Sequence, residues 1–187
     1  MSFIPTPHHA VPVLDTARLC LRGYQPGDFA AWAAMWQDPD FYRYTTGVPL
    51  PAEDAWFRLL RTIGHWTLLG YGFWAVEEKA SGHFIGSVGF ADFQRDIQPP
   101  IGAAPEMGWV LASGTHGQGY ASEAVAAALA WGEAHFGPGR IVCLIHPENA
   151  ASLRVAAKFG FRQYAQTTYH DAPGVLLERT GQGPAAG

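Results

Sequence analysis

The stretch HGQGYASEAVAAALAW, residues 116–131, constrains this chain more than any other. Two glycines open a helix that is then kept thin by alanine. A helix N-terminus leaves N–H groups unpaired and carries about half a positive charge. Glycines just before it let the backbone curl until several N–H groups face one point, which makes a site for phosphate. Gly117 and Gly119 would supply the curl, His116 and Gln118 the rest of the loop, and Tyr120, Ala121 and Ser122 the first-turn amides. A second reading is a tight strand–helix turn. Ala124, Ala128 and Gly132 would then be small because the helix lies close on a sheet. Taken alone, the residues leave both readings open.

Two familiar phosphate loops fit poorly. A P-loop needs a lysine after its last glycine, and none is present. A dinucleotide fingerprint needs a third glycine where Ser122 stands. That fingerprint also opens its βαβ unit, whereas more than half of this chain precedes the loop.

Composition narrows the class. The chain has 187 residues, enough for one domain with a full core. Its formal net charge is −4, and Lys and Arg are not clustered, which argues against nucleic acid as a partner. No apolar run approaches the roughly 18 residues of a membrane span. The opening MSFIPTPHHAVPVLD has neither the basic start nor the apolar centre of a signal peptide. Cys20 and Cys143 are far apart, which excludes a cysteine zinc site and fits a reduced, cytoplasmic compartment. No metal is expected. The pair His8-His9 has no further ligands nearby in sequence and reads as part of an exposed arm over 1–13.

Periodicity gives the elements. Residues 14–23 alternate as a strand, with Leu19 and Leu21 on one side. A helix follows from Pro26 or Asp28 to about Gln37, and another from about Pro51 to Leu68 with Trp56, Leu59, Leu60 and Ile63 as its apolar set. Residues 71–78 and 83–93 read as a hairpin, with 106–113 as a third strand of the group. After the opening helix come a buried strand at 141–146, a helix over 149–160 ending at Gly160, and a final hairpin. The expected fold is α+β: one domain over 14–180, with a mixed, mostly antiparallel central sheet flanked by helices and a disordered tail at 181–187.

The order EMGWVL, HGQGYASEA, strand, then HPENAASLRVAAKFGF resembles the GNAT superfamily of N-acetyltransferases, and within it the RimJ/RimL-like branch. His116, Gly119 and Ala121 fall on that family's Q/R-x-x-G-x-G/A loop, with His116 departing from the usual Gln or Arg. Asn149, Ser152, Lys158, Gly160 and Phe161 meet the pattern that follows it. TARLCLRGYQPGDF and HFIGSVGF add to the likeness, which covers about 14–180.

The resemblance implies acetyl-CoA as co-substrate and a primary amine as acceptor, either a protein N-terminus or a small molecule. It implies that strands 106–111 and 141–146 splay into a cleft for the pantetheine arm, paired by backbone groups of Trp109, Val110 and Leu111. Gly108 would suit a local bulge or a packing gap. Ser152 takes the place of the acid that protonates the departing thiolate, and otherwise reads as a first-turn polar residue beside Asn149. Asn149 is the expected N-cap and a further cofactor contact. Glu106, acting through a water, is the first candidate base and His146 the second. The N–H of Val110 or of a neighbour would meet the oxyanion. The acceptor would enter from the opposite mouth, past Tyr42 and Tyr44, whose rings favour an apolar or cationic amine. Such proteins act as monomers or homodimers. The alternative is a non-catalytic acyl-CoA-binding sensor or scaffold, in which the loop and Asn149 keep their meaning and Ser152 and Glu106 do not.

Overall fold

The alternation over 14–23 resolves into two strands, not one. In the computed structural model, which describes residues 10–180, β1 (Leu14–Asp15) pairs antiparallel with β2 (Leu19–Arg22). Thr16 closes the turn between them, its amide donating to the Leu19 carbonyl at 3.0 Å and its hydroxyl accepting from the Leu19 amide at 2.9 Å. Residues 10–13, expected in a loose arm, are docked: Val11 packs on the core and the Pro12 carbonyl accepts from Trp74 Nε1 at 2.8 Å. His8, His9 and the tail 181–187 lie outside the described residues.

A 3-10 turn at Pro26–Asp28 leads into α1 (Phe29–Met35), and a short α2 (Pro39–Tyr42) follows, capped by Asp38. The long helix α3 (Ala52–Leu69) carries Glu53 and Asp54 in its first turn, where acids suit the helix dipole. It stops at Gly70 with φ +74°, a left-handed position that glycine adopts without strain. Its inward face differs from the expected one. Ala55, Leu59 and Trp66 are buried, whereas Trp56, Leu60 and Ile63 are 38%, 44% and 42% exposed. Apolar residues occupy more than one face of α3, so burial alone does not fix its rotation. Trp66 does: its Nε1 donates to the Phe73 carbonyl at 3.0 Å while its ring stacks edge-on with Trp74 at 4.8 Å. A buried indole N–H usually finds such a partner.

The remaining elements are β3 (Phe73–Glu78), β4 (His83–Ala91), β5 (Glu106–Leu111), α4 (Tyr120–Phe136), β6 (Arg140–Ile145), α5 (Ala150–Lys158), β7 (Arg162–Tyr169) and β8 (Ala172–Thr180). One eight-stranded sheet runs β1-β2-β3-β4-β5-β6-β8-β7. Every neighbouring pair is antiparallel except β5 and β6, which are parallel. The α+β, mostly antiparallel expectation holds.

The main core lies where α4 meets the sheet, and a second cluster joins α1 and α3 to Phe84 and Val110. The loop 92–105 forms a third, placing Ile97 on Val142 and Leu176. The thin helix is explained by packing: Ala124 and Ala128 are fully buried, and a Cβ on Gly132 would stand 2.5 Å from Phe90 Cζ. Gly108 is also a packing gap, since its Cβ would meet Phe73 Cζ at 2.9 Å. Of the two readings of Gly108 the packing gap stands, since β4 and β5 pair without a shift. Among the described residues, no helix is long and apolar enough to cross a membrane.

Candidate active site

The parallel pair β5/β6 is joined at one point. Glu106 stands opposite Val142, and the Val142 amide donates to the Pro105 carbonyl at 3.1 Å. Beyond it the strands part, leaving a cleft that opens toward their C-terminal ends. In sheets with parallel strands, a crevice at such ends is a natural ligand position.

Backbone groups alternate sides along a strand. Pro105 faces β6, and the Ala112 amide faces β4, donating to the Ile85 carbonyl at 2.9 Å. Odd positions of β5 therefore face the cleft and even ones face β4. Trp109 turns both backbone groups to the cleft and Leu111 its amide, the Leu111 carbonyl being met by His116. Val110 does not, a correction to the expected trio: its backbone is turned toward β4 and its side chain packs with α1 and α3.

The loop after β5 has the curl its glycines suggested. Gly117 and Gly119 take φ +76° and +81°, and Gly119 is the N-cap of α4. The first amide bonded into the helix is that of Glu123, to the Gly119 carbonyl at 3.1 Å. Among the described residues, the amides of Gly117, Gln118, Gly119, Tyr120, Ala121 and Ser122 donate to no protein acceptor. The Tyr120 side chain is buried and its hydroxyl bonds Glu78. His116 turns back, its Nε2 lying 3.1 Å from the Leu111 carbonyl, so its ring staples the loop to the end of β5. Packing and anion binding are thus compatible: the small stripe seats the helix, and the open amides lie at its end.

Arg18, which carried no role in the sequence reading, braces this loop from β2's side. Its Nη1 donates to the Gln118 carbonyl at 2.9 Å, its Nε pairs with Glu123 at 2.7 Å, and its guanidinium lies 4.4 Å over the Tyr120 ring. A separation of 100 residues between Arg18 and Gln118 leaves no local signal.

The second helix start, α5, stands at the other lip of the cleft, just past β6. Asn149 caps it, its Oδ1 accepting from the Ser152 amide at 3.0 Å. Ser152 is half-buried in the first turn. The local bond at Ser152 thus uses its amide. His146, where β6 ends, accepts from the Glu148 amide through Nδ1 at 3.2 Å and stacks near Tyr44 at 5.5 Å.

Glu106 is buried and ion-paired. Arg95 grips both of its oxygens, Nε to Oε2 at 2.6 Å and Nη2 to Oε1 at 2.8 Å. Cys143, behind it on β6, has its thiol pushed up by burial first and by the charge of Glu106 second, so it stays protonated. Tyr42 and Tyr44 are half-buried at the end of α2 and in the turns after it. Asp38, one turn earlier, accepts from the Ser113 hydroxyl; that bond first, and the Asp40 amide second, hold its carboxyl below the usual range. The segment around Tyr42 and Tyr44 is thereby tied to the turn before the anion loop. Trp56, expected in the core, is exposed, as is its neighbour Phe57.

The residues present fit a CoA-like molecule: open amides for phosphates, an unpaired strand edge for amides of the arm, and a second helix start at the lip. The comparisons with known proteins agree. Residues 18–162 match the family model of the acetyltransferase (GNAT) domain. The chain is 34% identical over 172 residues to the Bacillus subtilis protein YkkB, covering 89% of this chain and 94% of that one. It superposes with a TM-score of 0.78 on a GnaT-family acetyltransferase from Bordetella pertussis, at 34% identity, covering 90% of this chain and 99% of that one. The fold is shared with RimL, a ribosomal L7/L12 alpha-N-protein acetyltransferase in complex with coenzyme A, at 18% identity and a TM-score of 0.71 over 90% of this chain and 98% of that one. The chain belongs to the GNAT family of acetyltransferases, which take their acetyl group from acetyl-CoA.

Proposed function

We propose that this protein is a RimJ/RimL-like N-acetyltransferase that passes an acetyl group from acetyl-CoA directly to a primary amine in a ternary complex. The acceptor is a small-molecule amine or a protein N-terminus. The observation that carries the reading is the cleft between β5 and β6 with six open amides at its mouth. The fold shared with RimL, which was solved with coenzyme A, supports it.

Bound acetyl-CoA would supply an activated acetyl carbon and a thiolate leaving group. The amides of Gly117–Ser122 hold the pyrophosphate, where the α4 dipole adds to each bond. Trp109 and Leu111 pair with the arm, and an N–H from one of them faces the carbonyl oxygen as it gains charge. As the nitrogen–carbon bond forms and the carbon–sulfur bond breaks, the Ser152 hydroxyl gives its proton to sulfur. It regains one from the amine. Asn149 keeps Ser152 in place by fixing the first turn of α5.

The amine must first lose the proton that keeps an alkylammonium from attacking, since its pKa lies near 10. Glu106 meets Arg95 with both oxygens, yet each oxygen keeps a second lone pair. We assign the pair the task of orienting a water that relays this proton to bulk solvent, not of taking it directly. His146, whose Nδ1 lone pair is engaged by Glu148, is assigned to the acceptor wall with Tyr44. The deciding experiment is a panel of amines and N-terminal peptides with acetyl-CoA, read by free CoA thiol and by product mass. Tight acetyl-CoA binding without thiol release from any amine would replace this reading with that of a non-catalytic acyl-CoA-binding domain.

A further inference from the structure

The aromatic rings on the acceptor side are already covered by cations of the chain itself. Arg43 lies 4.7 Å over Tyr44, Arg58 4.8 Å over Trp36, and Arg95 4.4 Å over Tyr169. Arg61 and Arg95 share Phe93, at 5.3 and 4.6 Å. An incoming amine therefore meets guanidinium groups where bare ring faces had been expected to attract a cation.

Three of these arginines converge. Arg58 and Arg61 are one turn apart on α3, which puts them on one face of the helix. Phe93 then brings Arg61 to Arg95. Among the described residues, the one carboxylate ion-paired with the group is Glu106, which Arg95 occupies, while Asp54, one turn before Arg58 on α3, adds a negative charge nearby without pairing. Among the described residues, neither Arg58 nor Arg61 forms an ion pair. Burial first, and then the charge of a neighbouring arginine, holds both guanidiniums below their usual range. Arg58 is half-buried and Arg61 exposed, and a partly desolvated cation with no ion-pair partner is relieved by an anion.

The cluster is next to the cleft. A Cβ on Gly108, in mid-β5, would touch Phe73 at 2.9 Å, and the Phe73 ring lies 6.3 Å from that of Phe93. A cavity of about 460 Å³ lined by Phe93, Arg95 and Glu106 adjoins it. Glu106 marks the joined end of the cleft, away from the anion loop.

We propose that Arg58 and Arg61, positioned beside Arg95 through Phe93, bind a carboxylate on the acceptor, so that the amine acetylated is one that also carries an anionic group. The carboxylate belongs either to a free amino acid or to an acidic residue close to a peptide N-terminus. This rests on the amine acetyltransferase reading above and names its substrate class. Arg58 and Arg61 bind; Arg95 holds Glu106 and sets their place.

The test uses binding, so it stands apart from turnover. Calorimetry on the full chain with CoA present compares N-acetyl amino acids with their amides, and N-acetyl peptides bearing Asp or Glu at the second position with their Asn or Gln counterparts. In at least one arm the acid binds about tenfold or more tightly than its neutral match, as a charge-assisted guanidinium contact requires. The arm that responds distinguishes amino acid from peptide. Arg61→Gln reduces the preference to about twofold or less, and Arg61→Lys keeps part of it. Arg58→Gln with Arg61→Gln abolishes it. Affinity for CoA reports folding, and the exposed Arg61→Gln variant serves if the double variant does not fold. Equal affinities in both arms, no binding of any acid, or a preference unchanged in Arg61→Gln overturns the proposal. Acetyl transfer is assayed separately. Turnover without acid preference leaves the enzymatic reading standing and removes this one, whereas preference without turnover of any amine does the reverse.

Discussion

The two mouths of the cleft are built from different materials. The donor mouth is backbone: strand edge, two left-handed glycines and six open amides, all within residues 106–122. The mouth proposed for the acceptor is side chains: Tyr44, Arg58, Arg61, Arg95, His146 and Tyr169 come from separate parts of the chain. A ligand common to a whole family can be held by amides, which every residue supplies. A ligand that varies must be read by side chains, which substitution can change without disturbing the fold. On the proposed reading charge follows the same division, with a helix dipole for phosphate at one mouth and guanidiniums for the acceptor at the other.

The largest expected effect lies between the mouths. Ser152→Ala should lower kcat by about 10²-fold, at the lower end of what a placed proton donor contributes. The KM for acetyl-CoA should change far less, because the proton is needed only in the transition state. The cap offers a clean separation. Asn149 accepts from the Ser152 amide, not the hydroxyl, so alanine leaves it intact. Asn149→Ala, by contrast, should lower stability by about 1 kcal/mol. Steady-state rates beside thermal melts check both, and a wild-type rate in Ser152→Ala would leave the serine no chemical role.

The donor mouth comes next. Gly119→Asp puts a carboxylate where pyrophosphate is expected and a side chain on a backbone of φ +81°. Like charges at such range repel, and CoA affinity should fall at least about tenfold by calorimetry. Gly119→Ala separates the causes, since it carries only left-handed strain of about 1–2 kcal/mol. A Cβ there would be 3.5 Å from Arg18 Nη2, an ordinary contact, so protein crowding is not the reason. If aspartate and alanine weaken CoA equally, charge at the helix end is irrelevant and the contrast between the mouths fails.

At the acceptor mouth, Tyr42→Ala and Tyr44→Ala should each raise acceptor KM several-fold with CoA binding unchanged. Tyr44 holds Arg43 on its ring and stands beside His146, so its loss loosens the wall at one point among several. Loss of CoA binding alongside acceptor binding would mean that the segment supports the fold and not the acceptor. No change in either would move the wall to the Tyr164–His170 end of β7 and the turn after it.

How far each part could be read in the sequence follows from the same division. The glycine curl at 117–119, the Asn149 cap and the Gly160 stop are local: neighbouring residues set their φ values and hydrogen bonds, and the structure has these conformations as expected. The parting of β5 from β6 was expected from the family motifs, whereas the order of strands in the sheet comes from the structure alone. The rotation of α3 could not be read. Trp56, Leu60 and Ile63 have the spacing of a buried face, and the deciding contact is a single indole N–H on Phe73. Val110 was misplaced because which edge of a strand faces a neighbour depends on pairing parity, set here by Ala112 on Ile85. The Glu106–Arg95 pair and the arginine cluster arise from contacts between distant segments, for which no spacing gives a signal.

The smallest expected effect tests whether the donor mouth is a backbone site at all. Arg18 is the one cation that touches the anion loop among the described residues, and its side chain is 45% exposed. Exposed ion pairs contribute about 0–1 kcal/mol. Arg18→Ala removes one bond to the Gln118 carbonyl and the contact on Tyr120. Glu123 is not stranded, because the Thr16 hydroxyl and the backbone amide of residue 18 still donate to it at 2.6 and 2.8 Å. The six amides keep their order through Gly117, Gly119 and the His116 staple. CoA affinity should therefore fall only about two- to fivefold, and the loss should shrink in high salt, where an exposed charge is screened. Titration of CoA at two ionic strengths measures it. A fall as large as that of Gly119→Asp would place Arg18 on the phosphates directly, and the donor mouth, like the acceptor mouth, would then depend on side-chain charge.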